Sequence, residues 1–467
     1  MEQKKVYIES YGCQMNFSDS EIVASILVKD GYVTTSDPAD ADLVLLNTCS
    51  IRDKAEQTVL NRIDGLAHLK RKRPGLKVGV LGCMAERMRE ELLVKKKAVD
   101  LVVGPDAYRS LPMLLSEVET GQKAVNVLLS REETYDDIAP VRLGSNGVTA
   151  FISIMRGCDN MCAFCVVPFT RGRERSRDPM TIVEEARGLV TRGFREVTLL
   201  GQNVDSYKWR TDPKDPEAPR TDFADLLELV AGVSPLLRIR FSTSHPKDMT
   251  DKVLEVMARF PNICKYIHLP VQSGSSEVLH RMNRGYTREW YLERIAAIRR
   301  YMPDAAISTD TISGFCGESE ADHEATLSLM REVKYDMAFM FKYSERPRTL
   351  AARKYPDDVA ESDKQRRLQQ VIDLQMEHAG ERNHRHVGLV QEVLVEGVSK
   401  RSDEHMYGRN TYNTVVILPG MYEGRALRPG DLVLARITSS TSGSLQAEVT
   451  GIAVPHDAHL EKQVLEA

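Results

Sequence analysis

"MRGCDNMCAFCVVPFTRGRERSR", residues 155–177, holds three cysteines within eight residues, Cys158, Cys162 and Cys165, at C-x3-C-x2-C spacing. Thiols this dense read as metal ligands. A structural zinc site takes four ligands, usually as two short pairs. No fourth ligand is near: after Cys165 the next cysteine is Cys264 and the first histidine is His245. Ferredoxin runs also carry a fourth cysteine. The spacing therefore points to a [4Fe–4S] cluster held by three thiolates, with one iron left open to a ligand.

The chain around this motif has 467 residues, enough for two to four domains. Apolar content of 42% and charged content of 28% are those of a soluble globular protein. A net charge of -4 gives no overall basic field for nucleic acid. Local basic runs, "LKRKRPGLK" (69–77), "RGRERSR" (171–177) and "NHRHVG" (383–388), each read first as solvated faces. No uncharged apolar run approaches the roughly 18 residues of a membrane span. "MEQKKVYIESYG" meets charge too early for a signal peptide. The eight cysteines are thus expected in the reducing cytosol, as ligands or core residues rather than disulfides.

Upstream of the motif, apolar runs alternate with helical patterns. "KKVYIESYGC" is followed by the helical "DSEIVASILVKDG", with Ser18 or Asp19 placed to cap it and Gly31 to stop it. "ADLVLLNTC", "LKVGVLGC" and "VDLVVGP" read as buried strands, separated by "DKAEQTVLNRIDGLAHLKRK" and "AERMREELLVKKK" as helices. This alternation predicts a parallel sheet covered on both faces, a Rossmann-like α/β domain. Cys13, Cys49 and Cys83 each stand just past a strand and before a helix. The carboxyl ends of parallel strands share one edge, where ligands bind. The three thiols therefore converge, near helix N-termini that favour thiolates. Three buried small side chains would be the plain alternative, but equivalent placement in three successive units argues for a second metal site.

Residues 130–147, "SREETYDDIAPVRLGSNG", lose periodicity and read as a linker. Six strand-like runs follow, "VTAFISIM", "EVTLLGQNV", "LRIRFSTS", "KYIHLPVQSG", "AAISTDTISGF" and "DMAFMFKYS", with helical patterns near 179–192, 222–233, 249–259, 287–301 and 319–332. Six β/α units predict an incomplete TIM-type barrel whose chemistry sits at the carboxyl ends of its strands. "KWRTDPKDPEAPRTD" (208–222) reads as a surface loop near that end. A helix, "DKQRRLQQVIDLQMEHAGERN", then leads to short β-rich runs with Gly and Pro turns, a small antiparallel barrel. Lys400, Arg401, Tyr407 and Arg409 are candidates for an RNA-binding face there. The expected domains are 1–129, the linker 130–147, 148–382, 383–452 and a tail 453–467.

C-x3-C-x2-C after the first strand of a partial barrel resembles the radical S-adenosylmethionine (SAM) enzymes. "YGCQMNFSDSE", "LNTCSIR", "GVLGCMAER", "RGCDNMCAFCVVPFTRGRERSR", "LLGQNVDSY", "HLPVQSGS", "MNRGYT" and the β-rich tail together resemble the methylthiotransferases, over nearly the whole chain. The resemblance implies a SAM-binding [4Fe–4S] cluster on Cys158, Cys162 and Cys165, with Phe164 as the aromatic residue usual before the third cysteine. It implies a second, auxiliary cluster that carries sulfur on Cys13, Cys49 and Cys83, and a C-terminal RNA-binding TRAM domain. "YGCQMN" and "CVVPFTRGRERSR" are most similar to the branch that modifies isopentenyl-adenosine beside the tRNA anticodon. The branches acting on threonylcarbamoyl-adenosine in tRNA, or on a ribosomal-protein aspartate, are the alternatives, and a non-catalytic, metal-dependent RNA-binding protein is the rival of another class.

The reaction this implies adds a methylthio group at C2 of an adenine, an unactivated C–H carbon that needs cofactor chemistry. One SAM gives its methyl to sulfur on the auxiliary cluster, and another is cleaved at the barrel cluster to a 5′-deoxyadenosyl radical. Gln202, Asn203, Ser242, Gln272 and Asp310, near the ends of barrel strands, are candidates for holding SAM. Arg171, Arg173, Arg175 and Arg177 are candidates for contacting phosphate or the cofactor carboxylate. Cys264 and Cys316 read as core residues. The implied partners are the modified tRNA and a flavodoxin-like electron donor. A cytoplasmic monomer with no membrane contact is expected.

Overall fold

The computed structural model describes residues 3–49, 53–212 and 214–455; Ser50, Ile51 and Arg52 of "LNTCSIR", Pro213 of the 208–222 insert and most of the 453–467 tail lie outside them. Strands β1 (Lys5–Tyr11), β2 (Val33–Thr34), β3 (Leu43–Thr48), β4 (Lys77–Gly82), β5 (Leu101–Val103) and β6 (Ala124–Asn126) pair in the order β2-β1-β3-β4-β5-β6. Every pairing is parallel. β3 is buried along its whole length. Its alternate residues serve two cores, Leu43 and Leu45 on one face and Val44 and Leu46 on the other, as the two-residue period of a strand requires.

Helix α1 spans Gln14–Lys29, with Cys13 as its N-cap. Ser18 and Asp19 are therefore not caps. They lie inside the helix on its buried face, where Asp19 is fully enclosed and held by two arginines. The chain leaves the helix through Asp30 and Gly31, where the sequence places the stop. The helix expected over "AERMREELLVKKK" is two, Cys83–Met88 and Glu90–Lys95, divided at Arg89, whose φ is +51°.

Residues 130–147 carry no helix or strand, yet they are strapped to the first domain. Tyr135 and Ile138 enter its core. The Ser25 hydroxyl donates to Ala139 O at 2.8 Å and accepts from Val141 N at 2.7 Å.

The barrel strands Thr149–Ser153, Glu196–Leu200, Arg238–Ser242, Tyr266–His268, Ala306–Ser313 and Met337–Lys342 follow one another. They form two three-stranded parallel sheets, joined by the parallel bridge Ile239–Ile263. Helices Pro179–Thr191, Phe223–Ala231, Asp251–Arg259, Arg288–Tyr301 and Glu320–Val333 alternate with them and share one apolar core with the strands. The 208–222 insert is not all loop: Lys208–Arg210 and Arg220–Asp222 pair antiparallel.

Helix Glu361–His384 leads to a closed five-stranded barrel of Val390–Val398, His405–Asn410, Val415–Pro419, Leu445–Val454 and Leu432–Ser440. It is not wholly antiparallel, because Val415–Pro419 meets Leu445–Val454 in parallel register. This small barrel docks at the N-terminal ends of the large barrel's strands. There Arg238 donates to Arg409 O at 2.8 Å and to the Glu392 carboxylate at 2.8 Å. Arg240 donates to Asn410 O at 2.8 Å. No described helix is long and apolar enough to cross a membrane.

Candidate active site

The loop after the first barrel strand carries Cys158, Cys162 and Cys165. Cys158 and Cys162 are buried, and Cys165 is half-buried. Gly157 fixes how the loop starts: its φ is +77°, and a Cβ there would stand 2.0 Å from Arg173 O, so only glycine fits. Cys158 N then donates to Gly172 O at 3.2 Å, and Ala163 N to Met282 O at 2.8 Å. Phe164 packs against the apolar cluster of Ala163, Val278, Met282, Phe315, Cys316 and Tyr343. Burial pushes the Cys158 thiol up to about 12 and raises Cys165 as well. Arg284, itself buried, donates from Nη1 to Cys162 Sγ at 3.2 Å and from Nη2 to Pro270 O at 2.8 Å.

Beside this loop the second and third barrel strands end in polar side chains. Asn203 Nδ2 donates to Asp248 Oδ2 at 2.6 Å, and Asn160 of the cysteine loop donates to the same oxygen at 3.3 Å. Gln202 Oε1, Asn203 Oδ1, His245 Nε2 and Thr311 Oγ1 are buried without a hydrogen-bond partner, and the Asp205 carboxyl is buried beside Ser244. Buried polar groups are normally paired, so this set fits a polar ligand. Burial raises the Asp205 carboxyl to about 8 and lowers His245 to about 2. Ser242 ends its strand, its Oγ 3.1 Å from Thr243 Oγ1. Gln272 lies past the fourth strand and pairs through its backbone with Asp310 O and Ile312 N. Asp310 does not end a strand as expected. It lies within Ala306–Ser313, its Oδ1 3.5 Å from His268 Nε2.

Cys13, Cys49 and Cys83 follow β1, β3 and β4, which are adjacent in the sheet. The strand order reverses around β1, so Cys13 and Cys49 flank the switch point where such sheets take ligands. Gly12 has φ +103°, and a Cβ there would lie 2.4 Å from Cys49 Cβ. The cysteines are that close because a side chain is missing. A hydrogen bond from Cys49, helped by the Arg171 charge, holds Cys13 below the ordinary thiol range, while burial raises Cys83.

The two sites meet at a seam of ion pairs. Arg156 donates to Asp19 at 2.9 Å, and Arg171 donates to Asp19 at 2.8 Å and to Asn16 Oδ1 at 3.0 Å. Arg175 grips both Asp106 oxygens at 2.9 Å. Arg177 and Arg142 share Glu185, and Arg142 also binds Glu21. Arg171, Arg175 and Arg177 are thus buried in pairs with protein carboxylates, and the expected phosphate contact does not hold for them. Arg173 alone of the four is exposed, paired with Asp159. Arg409 is half-exposed and pairs with Glu396, whereas Lys400 and Arg401 are exposed.

Among the described residues no three His, Cys, Asp or Glu side chains close on the position of a single metal ion. An iron–sulfur cluster bonds each thiolate to a different iron, so it takes thiols that border a larger group. Two trios of cysteines, without a fourth protein ligand among the described residues, fit that demand.

This barrel and its three-cysteine loop define a radical SAM protein: residues 152–330 match the Radical SAM superfamily, whose members use a [4Fe–4S] cluster and SAM. Residues 5–104 match the Uncharacterized protein family UPF0004 and residues 384–450 the TRAM domain. The chain is 58% identical to a tRNA-2-methylthio-N(6)-dimethylallyladenosine synthase of Amoebophilus asiaticus, over 96% of this chain and 92% of that one. It is 53% identical to the synthase of that name from Bacteroides thetaiotaomicron, over 96% of both. Among solved structures, the radical SAM methyltransferase TsrM from Kitasatospora setae superposes with a TM-score of 0.56 at 14% identity, over 75% of each chain, a likeness of fold. The chain belongs to the family of the tRNA-2-methylthio-N(6)-dimethylallyladenosine synthases.

Proposed function

We propose that this chain is a radical SAM methylthiotransferase that replaces the C2 hydrogen of N6-isopentenyladenosine, beside the anticodon of tRNA, with a methylthio group. What carries the reading is that one chain holds two separate three-cysteine sets, at the sheet's carboxyl edge and at the barrel mouth, joined by a single buried seam. The relatives' shared name supplies the substrate.

In this reading Cys158, Cys162 and Cys165 hold one [4Fe–4S] cluster, and Cys13, Cys49 and Cys83 hold a second. When bound, these groups supply the electron that cleaves SAM and the sulfur that is transferred, one SAM serving as radical source and one as methyl donor. The chain's own side chains do the rest. Arg284 fixes Cys162 with a charge-assisted hydrogen bond. Gln202, Asn203, Ser242, Gln272 and Asp310 line the rim that takes SAM. With its carboxyl at about 8, Asp205 stays protonated at neutral pH and donates a hydrogen bond into that rim. The apolar wall at Phe164 excludes water from the radical. Lys400 and Arg401 meet tRNA phosphates, and the target base leaves its stack to reach the mouth. The enzyme works as a cytoplasmic monomer and draws electrons from a flavodoxin-like donor.

The test is anaerobic incubation of reconstituted protein with SAM, a reductant and isopentenylated tRNA, followed by nucleoside mass analysis. A methylthio group on isopentenyladenosine is the expected product. Product only on threonylcarbamoyl-adenosine, or on a ribosomal protein, would move the chain to another branch. A colourless, zinc-containing protein would end the enzyme reading.

A further inference from the structure

The seam between the domains does not balance. Arg156, Arg171 and Arg175 face only Asp19 and Asp106, and all five side chains are buried. Three cations and two carboxylates leave one positive charge in a low-dielectric interior, where an uncompensated charge is costly. The hydrogen bonds show which arginine carries the surplus. Arg156 commits Nη1 to Asp19 and Nη2 to Pro105 O, and Arg175 commits both terminal nitrogens to Asp106. Arg156 and Arg175 each leave a buried Nε without a hydrogen bond, but Arg171 alone of the three leaves a terminal nitrogen so: it commits only Nη2, and its Nη1 is buried and has no partner. Asn16 Oδ1, which accepts from Arg171 Nη2 at 3.0 Å, also accepts from Cys13 Sγ at 3.7 Å. The guanidinium therefore lies against the N-terminal cysteine site, and its charge acts on both Cys13 and Cys83.

We infer that Arg171, a residue of the barrel domain's cysteine loop, is a positioning residue of the other site: its Nη1 donates to the anionic sulfur of the group that Cys13, Cys49 and Cys83 hold. The inference rests on the reading of those cysteines as cluster ligands. Three thiolates on a doubly positive [4Fe–4S] core leave one net negative charge, the one the seam lacks, and Nη1 supplies the donor those sulfurs accept. Net charge and hydrogen bonds to sulfur set a cluster's potential, so Arg171 raises that of the auxiliary site, and the loop that binds one cluster tunes the other.

The experiment uses the full-length chain with Cys158, Cys162 and Cys165 changed to Ala, so that only the N-terminal site can load iron. After anaerobic reconstitution, the reduced fraction is followed by electron paramagnetic resonance at set potentials, with and without R171M or R171K. The expected result is that R171M keeps its iron while its ratio of reduced to oxidised cluster at a fixed potential falls at least tenfold, equal to about 59 mV for one electron, and that R171K recovers part of the loss. If the parent with its barrel cysteines removed binds no iron, the ligand reading fails, not the role of Arg171. If R171M loads iron with an unmoved potential, the inference is overturned. Should R171M not fold, D19N/R171M strands no carboxylate: an unmoved potential there overturns the inference, and a shift or a loss of iron from the folded chain sustains it.

Discussion

Cys13 and Cys158 both follow a glycine at positive φ, +103° at Gly12 and +77° at Gly157, yet their surroundings differ. At the sheet edge, Cys49 and Arg171 hold the Cys13 thiol below its ordinary range. At the barrel mouth, burial, with the charges of Cys162, Glu174 and Asp159, pushes Cys158 up to about 12 against a backbone hydrogen bond from Asn160. At the first site one thiol, Cys13, is favoured as an anion before any iron arrives, while burial raises Cys83. The second must shed its protons on loading, and its iron binding depends on pH accordingly. One site has its positive charge built in from another domain, whereas the other relies on Arg284 at Cys162 and on the cluster itself.

The strongest test of this division deletes one site at a time. Removing Cys158, Cys162 and Cys165 should cost about half of the iron of a two-cluster protein and all SAM cleavage. Removing Cys13, Cys49 and Cys83 should abolish methylthiolation while cleavage continues. Iron assays and 5′-deoxyadenosine release decide it. Loss of all iron in either variant would mean that the sites are not independent.

Gly12→Ala comes next. With 2.4 Å to Cys49 Cβ, the new methyl must displace one cysteine. We expect loss of the auxiliary iron, retention of the barrel iron, and a stability cost of about 1–3 kcal/mol, read by iron content and thermal melting. Retention of both clusters would show that the close approach is not needed.

Asp205 gives a smaller effect with a definite sign. Its carboxyl is raised to about 8 in the folded chain from an ordinary 3.8, so the unfolded chain loses its proton first. Native Asp205 therefore costs stability increasingly from about pH 4 to pH 8. Asp205→Asn should raise the melting temperature at pH 8 by a few degrees or more, and the gain should shrink toward pH 4. A gain that does not change with pH would remove the protonated carboxyl from the proposed rim.

The smallest effect concerns RNA. Because the small barrel seals the end of the large one through Arg238 and Arg240, deleting it would also expose those side chains. Lys400→Ala with Arg401→Ala is the cleaner change, expected to weaken tRNA binding modestly and to lower the salt slope by up to about 2. An unchanged slope in a binding titration would place the RNA face elsewhere.

The strands, helices and cysteines were legible because their signals are local. Apolar runs mark Leu43–Thr48 and Ala306–Ser313, and each cysteine stands at fixed spacing from its neighbours or from a strand end. The arginine run was misread because a charge run looks the same whether solvated or paired, and its partners Asp19 and Asp106 lie up to 152 residues away. Asp19 reads as a cap for the same reason: its two arginine partners, Arg156 and Arg171, lie far along the chain. Arg284 and Ser244 carry no signal although "MNRGYT" and "STSH" stand in plain view, and His245 enters the sequence reading only as a ligand too distant for zinc, because a lone polar residue says nothing until neighbours enclose it. The parallel pair that closes the small barrel depends on long-range register at Val416–Leu445, which no local pattern encodes.

The buried seam also bears on how the chain is made. Asp19 and Asp106 leave the ribosome before Arg156, Arg171 and Arg175 exist, so the nascent sheet carries two carboxylates that it cannot yet enclose. Leaving a buried ion without its partner costs about 3–5 kcal/mol. Until the cysteine loop of the second domain emerges those carboxylates stay in water, and the seam closes only with the arginines in place. Translation order thus makes closure of the seam the step that joins the two sites, and a fragment cut between them would leave Asp19 and Asp106 facing solvent.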